Sequence, residues 1–403
     1  MSSQHTAKLP AGFRASGFTC GIKASGKPDL SLLVSDFPAS AAGVFTTNRV
    51  CGAPVIVSRQ RVPSSEARAV VINSGNSNAA TGEPGISNAR AMTAAVANQI
   101  GCRDDAVLVC STGVIGVPLP MPVILAGIPK GVQLLGASDQ HLLDAATSMM
   151  TTDTFPKLSS VDVHVSGGTI RVSGVCKGAA MIAPNMATML AVVLTDAVMT
   201  PEQCDEALRF GVDRTFNCIS VDGHMSTSDT VLLLANGASG GMLSANDFVK
   251  VRDAVQQVCQ TLATKIIRDA EGADHFITID VNGLASREQA FRMAREIADS
   301  ALVKTAIAGG DPNWGRVVSA AGYAGVNFDP AFLSLRINTT EVYSAGTPVA
   351  FNASQLSAQL KENRDVHLSL TLAGGPCSGK ESVRFWTSDL TQEYVRLNSE
   401  YTT

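Results

Sequence analysis

KGAAMIAPNMATMLAVVLTDA, residues 177–197, is the stretch on which the reading of this chain turns. After Lys177 it carries no charge until Asp196, and Pro184-Asn185 interrupt a run of small and apolar residues. Thr188 stands in its middle, directly after Ala187. Taken alone, the stretch leaves two readings open. Thr188 is either a packing residue in a buried strand or helix, or the hydroxyl that performs chemistry. The near-apolar run from Ala179 to Leu194 is shorter than the roughly 18–20 uninterrupted residues that a membrane span needs.

The 403 residues around it are enough for two or three domains. Hydrophobic residues make up 45% and charged residues 16%, so a large core can form. With 35 glycines and only 5% aromatics, the mix suits a layered α/β protein with many tight connections. The formal net charge is −4 and no long basic run occurs, which argues against a nucleic-acid surface. The nine cysteines include no C-x-x-C pair, and the six histidines show no ligand spacing. Buried thiols in a reducing compartment fit better than disulfides, and no metal site is expected. The first 20 residues lack the apolar core of a secretory signal. They are poor in acid, so a short transit peptide is the alternative to a plain cytoplasmic protein.

Several elements are legible locally. Residues 161–173, VDVHVSGGTIRVS, alternate about Gly167-Gly168 and predict a β-hairpin, with His164 on its polar face. Thr200-Pro201-Glu202-Gln203 opens a helix with a capping box, and Ser286 with Gln289 repeats the pattern. A longer helix is predicted from Ser244 or Asn246, with Phe248, Val251, Val255, Val258, Leu262 and Ile266 on one face. HFITIDV, 275–281, reads as a strand. Strand and helix signals alternate without a repeat.

Loops rich in Gly, Asn, Ser and Thr stand between these elements: VINSGNSNAATG (71–82), CSTGVIG (110–116), MTTDTFPK (150–157), SVDGHMSTSDT (220–230), AGGDPNWGR (308–316) and the terminal YVRLNSEYTT (394–403). Each by itself can be a turn. Together they supply hydroxyls, amides and free N–H groups able to hold a small polar substrate and a developing oxyanion. No phosphate-binding P-loop and no G-x-G-x-x-G is present, and no zinc-ligand spacing occurs. A hydroxyl nucleophile gains interest by elimination, and a threonine is activated by its own α-amino group when the chain is cut before it.

These motifs, with KGAAMIAPNMATML, FNCISVDGHMSTSDT, AEGA (270–273) and LVKTAIAGGDPNWGR (302–316), occur in an order that resembles the arginine-biosynthesis ornithine acetyltransferase family. The resemblance covers nearly the whole chain. It implies an α/β fold in mixed layers, with sheets sandwiched by helices in an N-terminal-nucleophile-like arrangement. It further implies self-cleavage between Ala187 and Thr188. The products would be an α chain, 1–187, carrying the oxyanion loop, and a β chain, 188–403, beginning with the nucleophile. The structural domain border need not coincide with that cut.

By the same resemblance Thr188 is the nucleophile and Thr112 and Gly113 form the oxyanion hole. Thr154, Lys177, Glu271, Asn398 and Thr403 contact substrate alongside Thr188. A lysine suits a substrate carboxylate and a glutamate suits an ammonium group. The implied reaction moves the acetyl group of N-acetylornithine to glutamate, without a cofactor. Acetyl-CoA stays open as a second donor. The implied assembly is a heterotetramer of two α and two β chains, cytoplasmic, with no nucleic acid or membrane partner. A related acetyltransferase with another acceptor, a self-processed amidase or aminopeptidase, and an uncut binding protein are the alternatives. Two positions depart from the family pattern: Ala180, where Gly is usual, and His224, where an acid is expected. Ala180 matters for cleavage if that position requires positive φ.

Overall fold

The computed structural model describes residues 7–183 and 189–400. The predicted cleavage pair Ala187 and Thr188 and the predicted substrate contact Thr403 lie outside the described residues. In chain order the first strands are β1 (Phe13–Phe18), β2 (Leu30–Phe45), β3 (Ser64–Asn76), β4 (Val107–Val114), β5 (Lys157–Val165), β6 (Gly168–Lys177) and β7 (Leu190–Thr195). They are followed by β8 (Ile219–Ser220), β9 (Thr230–Ala235), β10 (Phe276–Leu284), β11 (Leu333–Ile337), β12 (Thr340–Ser344), β13 (Thr347–Pro348), β14 (Asp365–Leu372) and β15 (Ser378–Ser388).

Two sheets result. The first has the order β4-β3-β2-β9-β7-β6-β5, with β1 paired to β2, and the second runs β13-β12-β11-β14-β10-β15-β8. In the first sheet β2 is the seam. Its early residues pair with β1 and β3, and Ser40–Phe45 pair with β9. The register with β3 breaks between Val34 and Ala39. Pro38 lies in that break, where its missing N–H costs no ladder bond. The parallel pair β7 and β9 occupies the middle, and every residue of LAVVLT and TVLLLA is buried. Strands covered on both faces read as continuous apolar runs, which is why the second half of residues 177–197 shows no alternation.

Helices form where capping and periodicity predict them. Pro201–Arg214 starts with Thr200 and a complete capping box to Gln203. Ala245–Arg268 is capped by Ser244, and Val251, Val255, Val258, Leu262 and Ile266 are buried along one side. Arg287–Asp299 is capped by Ser286. The 161–173 hairpin is present, but Gly168 pairs with Val165, so the turn is Ser166-Gly167 rather than Gly167-Gly168. Gly168 belongs to the strand because its φ of 134° lets the ladder begin one residue early.

One core joins the sheets. It contains the inner face of β6, β7 and β9, the helices Pro201–Arg214 and Ala245–Arg268, and Ile277, Ile279 and Val281 of β10. The other face of the first sheet is covered by the helix Asp139–Met149, which packs with Leu33, Val70 and Leu108, whereas Gly82–Ile100 and Met121–Gln133 pack with the alternate residues Leu32, Val71 and Val109 and so continue the first face near β3 and β4. The expected sheets sandwiched by helices are therefore observed. Among the described residues no helix is long and apolar enough to cross a membrane.

Candidate active site

The parallel strands β3 and β4 end side by side, Gly75 opposite Gly113. At this end a cleft of about 360 Å³ opens, a size suited to a small-molecule substrate. Its walls include the β4 loop with Thr112 and Gly113, the end of β6 with Lys177, the 220–230 loop, and the C-terminal helix Gln392–Glu400.

The β4 wall is built from backbone proximity. Gly113 has a φ of 131°, and a Cβ there would stand 2.3 Å from the carbonyl carbon of Gly75. Only glycine allows this approach. Side chains of the VINSGNSNAATG loop brace it. Ser111 Oγ donates to Asn73 Oδ1 at 2.5 Å, and Asn76 Nδ2 donates to the carbonyls of Val117 and Pro118 at 3.0 and 3.2 Å. Thr112 is 3% exposed, at the floor of the cleft.

The next wall carries a buried cation. Lys177 is 3% exposed. Among the described residues its ammonium has neither a salt bridge nor a hydrogen bond. Burial pulls its pKa below the ordinary lysine value; Asp153 opposes this and Lys157 reinforces it. Behind it lies a closed ionic group. Lys157 Nζ, fully buried, is 2.7 Å from Asp153 Oδ1 and 2.5 Å from Asp269 Oδ2. Burial by itself would raise the Asp153 carboxyl. Lys157, Lys177 and the Gly178 N–H at 2.7 Å overcome that and hold it at about 2.

The helix wall is tied to the AEGA loop. Gly272 has a φ of 64°, and a Cβ there would lie 2.4 Å from the backbone nitrogen of Tyr394, so the helix Gln392–Glu400 sits directly on it. Asn398 Nδ2 donates to Glu271 Oε2 at 3.2 Å, and the Glu271 N–H donates to the Ala179 carbonyl at 3.0 Å. The Tyr394 hydroxyl donates to Asp222 Oδ2 at 3.2 Å, and burial pushes that phenol upward.

Of the sequence-predicted residues that are described, Thr112, Gly113, Lys177, Glu271 and Asn398 meet at this cleft. Thr154 stands apart from its lining. Its N–H and hydroxyl both donate to Asp269, while Thr151 and Thr152 face the cleft. Ala180 and His224 both line it, but the left-handed backbone of this motif falls on Met181, φ 55°, not on Ala180. His164 is exposed, bonded to Thr169 across its hairpin. The letters GASGG at 237–241 also spell a serine nucleophile-elbow pattern, yet none of these residues lines the cleft.

Sequence reading missed Asp222, Tyr394 and Ser226–Ser228 as cleft residues. Asp222 lies in a quoted loop whose Gly and Ser content reads as a turn. The Asp153–Lys157–Asp269 group was also missed. Its sequence cue is a lysine at the first position of a strand, within the quoted MTTDTFPK loop that also carries Asp153. Among the described residues no cluster of His, Cys, Asp and Glu is arranged to hold a metal ion.

Comparison with known proteins gives a family match over residues 14–403, to the ArgJ family. The chain is similar to the arginine biosynthesis bifunctional protein ArgJ of Rhodopirellula baltica, 47% identical over 98% of this chain and 96% of that one. It is 44% identical to the ArgJ protein of Symbiobacterium thermophilum, over 98% of each. The solved structure of ArgJ from Bacillus halodurans matches with a TM-score of 0.50 and 36% identity, covering 52% of this chain and 98% of that one.

Proposed function

The chain belongs to the ArgJ family, and we propose that its cleft carries out acetyl transfer from N-acetylornithine to glutamate through an acetyl ester on Thr188. The protein is an acyltransferase of arginine biosynthesis. The observation that carries the reading of the site is the buried Lys177, without an ion-pair or hydrogen-bond partner among the described residues, facing a cleft with the Glu271–Asn398 pair on another wall. An ammonium largely withdrawn from water and open only to the cleft is favoured by a ligand charge that meets it there. A zwitterionic amino acid brings a carboxylate for Lys177 and an ammonium for Glu271.

Maturation precedes catalysis in this reading. The Thr188 hydroxyl oxygen attacks the Ala187 carbonyl carbon, and the C–N bond breaks as the nitrogen takes the hydroxyl proton. Water then hydrolyses the ester, leaving a carboxylate on Ala187 and a free amine and hydroxyl on Thr188. The new amine, with a reference pKa of about 7.7–8.0, is a suitable base for its own hydroxyl. In the first half-reaction the hydroxyl oxygen attacks the acetyl carbonyl, the amine passes the proton to the leaving nitrogen, and ornithine departs. In the second, the amine of glutamate attacks the ester carbonyl, the C–O bond to Thr188 breaks as its oxygen takes a proton from that amine by way of the α-amino group, and N-acetylglutamate departs. Thr112 and Gly113 supply the oxyanion site, where one lost donor costs about 2.7–4 kcal/mol of barrier.

The fold is compatible with the cut: the strands β7 and β9, from beyond residue 188, lie between β2 and β6, so 1–187 and 188–403 would remain interleaved in one sheet after cleavage. Pairing of two such αβ units into a heterotetramer and a cytoplasmic setting go with this reading, and all nine cysteines are free thiols. Its relatives are called bifunctional, so acetyl-CoA is the second donor to assay.

The test is intact-mass analysis with N-terminal sequencing of each band. The expected result is a fragment beginning TMLAVVLTDA that gains one acetyl group on brief exposure to N-acetylornithine and is absent in Thr188→Ala. Full-length protein that transfers acetyl groups at normal speed would overturn it.

A further inference from the structure

Residues 19–29 join β1 to β2, and their path is fixed by one carboxylate. Asp29 is fully buried, and it accepts four consecutive backbone N–H groups. Cys20 donates to Oδ1 at 2.6 Å, and Gly21, Ile22 and Lys23 donate to Oδ2 at 3.1, 2.6 and 2.9 Å. Hydrogen bonds to an ionised acceptor are the strong ones, so four of them make a rigid turn. The Asp29 main chain ties this turn to the first sheet: its N–H donates to the Phe18 carbonyl at 3.0 Å, and its carbonyl accepts the Ser74 N–H at 2.9 Å.

Lys23 leaves the turn against the end of β3. A Cβ on Gly75 would stand 2.8 Å from Lys23 Cγ, and a Cβ on Gly113 would stand 2.7 Å from Gly75 Cα. The lysine stem therefore touches the Gly75 backbone, and the Gly75 backbone touches that of Gly113, because neither glycine carries a side chain. A packed interior yields little, so such a chain of contacts passes on small displacements. The far end of the lysine is anchored. Its Nζ donates to the carbonyls of Pro28 and Met150, both at 2.7 Å. Met150 caps the C-terminus of the helix Asp139–Met149, where carbonyls lacking helical partners suit a cation. Among the described residues these two carbonyls are the only partners of the ammonium. Burial pulls its pKa down to about 8; Asp29 and Asp153 oppose this, and Lys177 and Lys27 reinforce it. The head is a tether between the turn and a helix end.

We propose that Lys23 is a positioning residue for the oxyanion site: tethered at Pro28 and Met150, its stem holds Gly75 against Gly113 and so fixes the Thr112–Gly113 backbone where the negative charge of the reaction develops. The inference rests on the reading that Thr112 and Gly113 form that site. Lys23 does not line the cleft, so it acts through Gly75 and not on the substrate.

The bound substrate carries no oxyanion, so the effect belongs to the transition state. Lys23→Met keeps the stem across Gly75 and deletes the tether. It is expected to lower kcat by roughly tenfold to a hundredfold, with KM for N-acetylornithine held within about twofold. A double-mutant cycle with Thr112→Ala then separates this role from a general loss of structure. Once Thr112→Ala has damaged the oxyanion site, adding Lys23→Met is expected to lower kcat by less than about threefold, because the two changes act on one unit. An unchanged kcat in Lys23→Met, a rise in KM alone, or the same fold-loss in both backgrounds overturns the proposal. Where Lys23→Met does not fold or mature, the cycle is run with Lys23→Gln, whose shorter neutral side chain cannot bridge both carbonyls, and the same outcomes decide. Failure of the oxyanion reading is seen separately, as a Thr112→Ala enzyme with undiminished kcat, and it takes this proposal with it.

Discussion

Lys157 and Lys177 are equally hidden from water, 0% and 3% exposed, on the paired strands β5 and β6, yet they are opposites. Lys157 is held between Asp153 and Asp269, and those carboxylates raise its pKa against the effect of burial. Among the described residues Lys177 has no such partner, and burial lowers its pKa. A buried cation with its counter-charges supplied by the chain is part of the fold. One without them is preorganised for a charge that arrives later. Burial alone therefore does not separate a structural lysine from a ligand-binding one; the partner atoms do.

The largest expected effect breaks the closed group. Lys157→Met leaves Asp153 and Asp269 facing each other in the interior, and removing one partner of a buried pair costs about 3–5 kcal/mol. Denaturant unfolding in the uncut Thr188→Ala background measures this on a single chain, where two-state treatment is simplest. The same group sets an acid limit. Asp153 has a folded pKa of about 2, below its ordinary value. Its contribution is present above the unfolded carboxylate range near 3.9 and is lost as pH falls toward 2. Lys157→Met is expected to flatten that part of the stability profile.

Lys177→Met should reverse the pattern. Losing a charged hydrogen bond to a ligand carboxylate, about 1.5–3 kcal/mol, raises KM by roughly tenfold to a hundredfold. Stability should hold or rise, because an unpaired ammonium has been taken out of the interior. A drop in stability comparable to that of Lys157→Met, with KM unchanged, would erase the distinction between the two residues.

The sequence carries this distinction only faintly. Caps at Thr200, Ser244 and Ser286 and the 161–173 hairpin were legible because their signals lie within a few residues. The sheet order was not. The β2–β9 pairing joins Ala41 to Leu234, and an apolar run says that a strand is buried without saying beside what. At the site, Thr112, Gly113, Lys177, Glu271 and Asn398 were singled out through motif order, and the structure gathers them at one cleft. Asp222 was passed over because it looks like a turn residue. Its role depends on a backbone N–H group, that of Ile182, 40 positions away in the chain.

The smallest effect concerns Thr154, which resemblance assigns to substrate and geometry ties to Asp269. Its N–H and its hydroxyl both donate to that carboxylate, so it completes the coordination of the Lys157 group. Thr154→Val keeps the shape and the N–H and deletes one charge-assisted hydrogen bond, worth about 1.5–3 kcal/mol at most; Asp269 retains Lys157 and the Thr154 N–H on Oδ2, while Oδ1 loses its partner among the described residues. A stability loss of about 1 kcal/mol with KM unchanged places Thr154 with Lys157, as a residue of the fold. A KM increase without a stability loss places it with Lys177 and means that the hydroxyl leaves Asp269 when substrate enters. Thr154→Ser separates the cases further. It keeps the hydroxyl and removes only the methyl, so it restores whichever of the two properties Thr154→Val has lost.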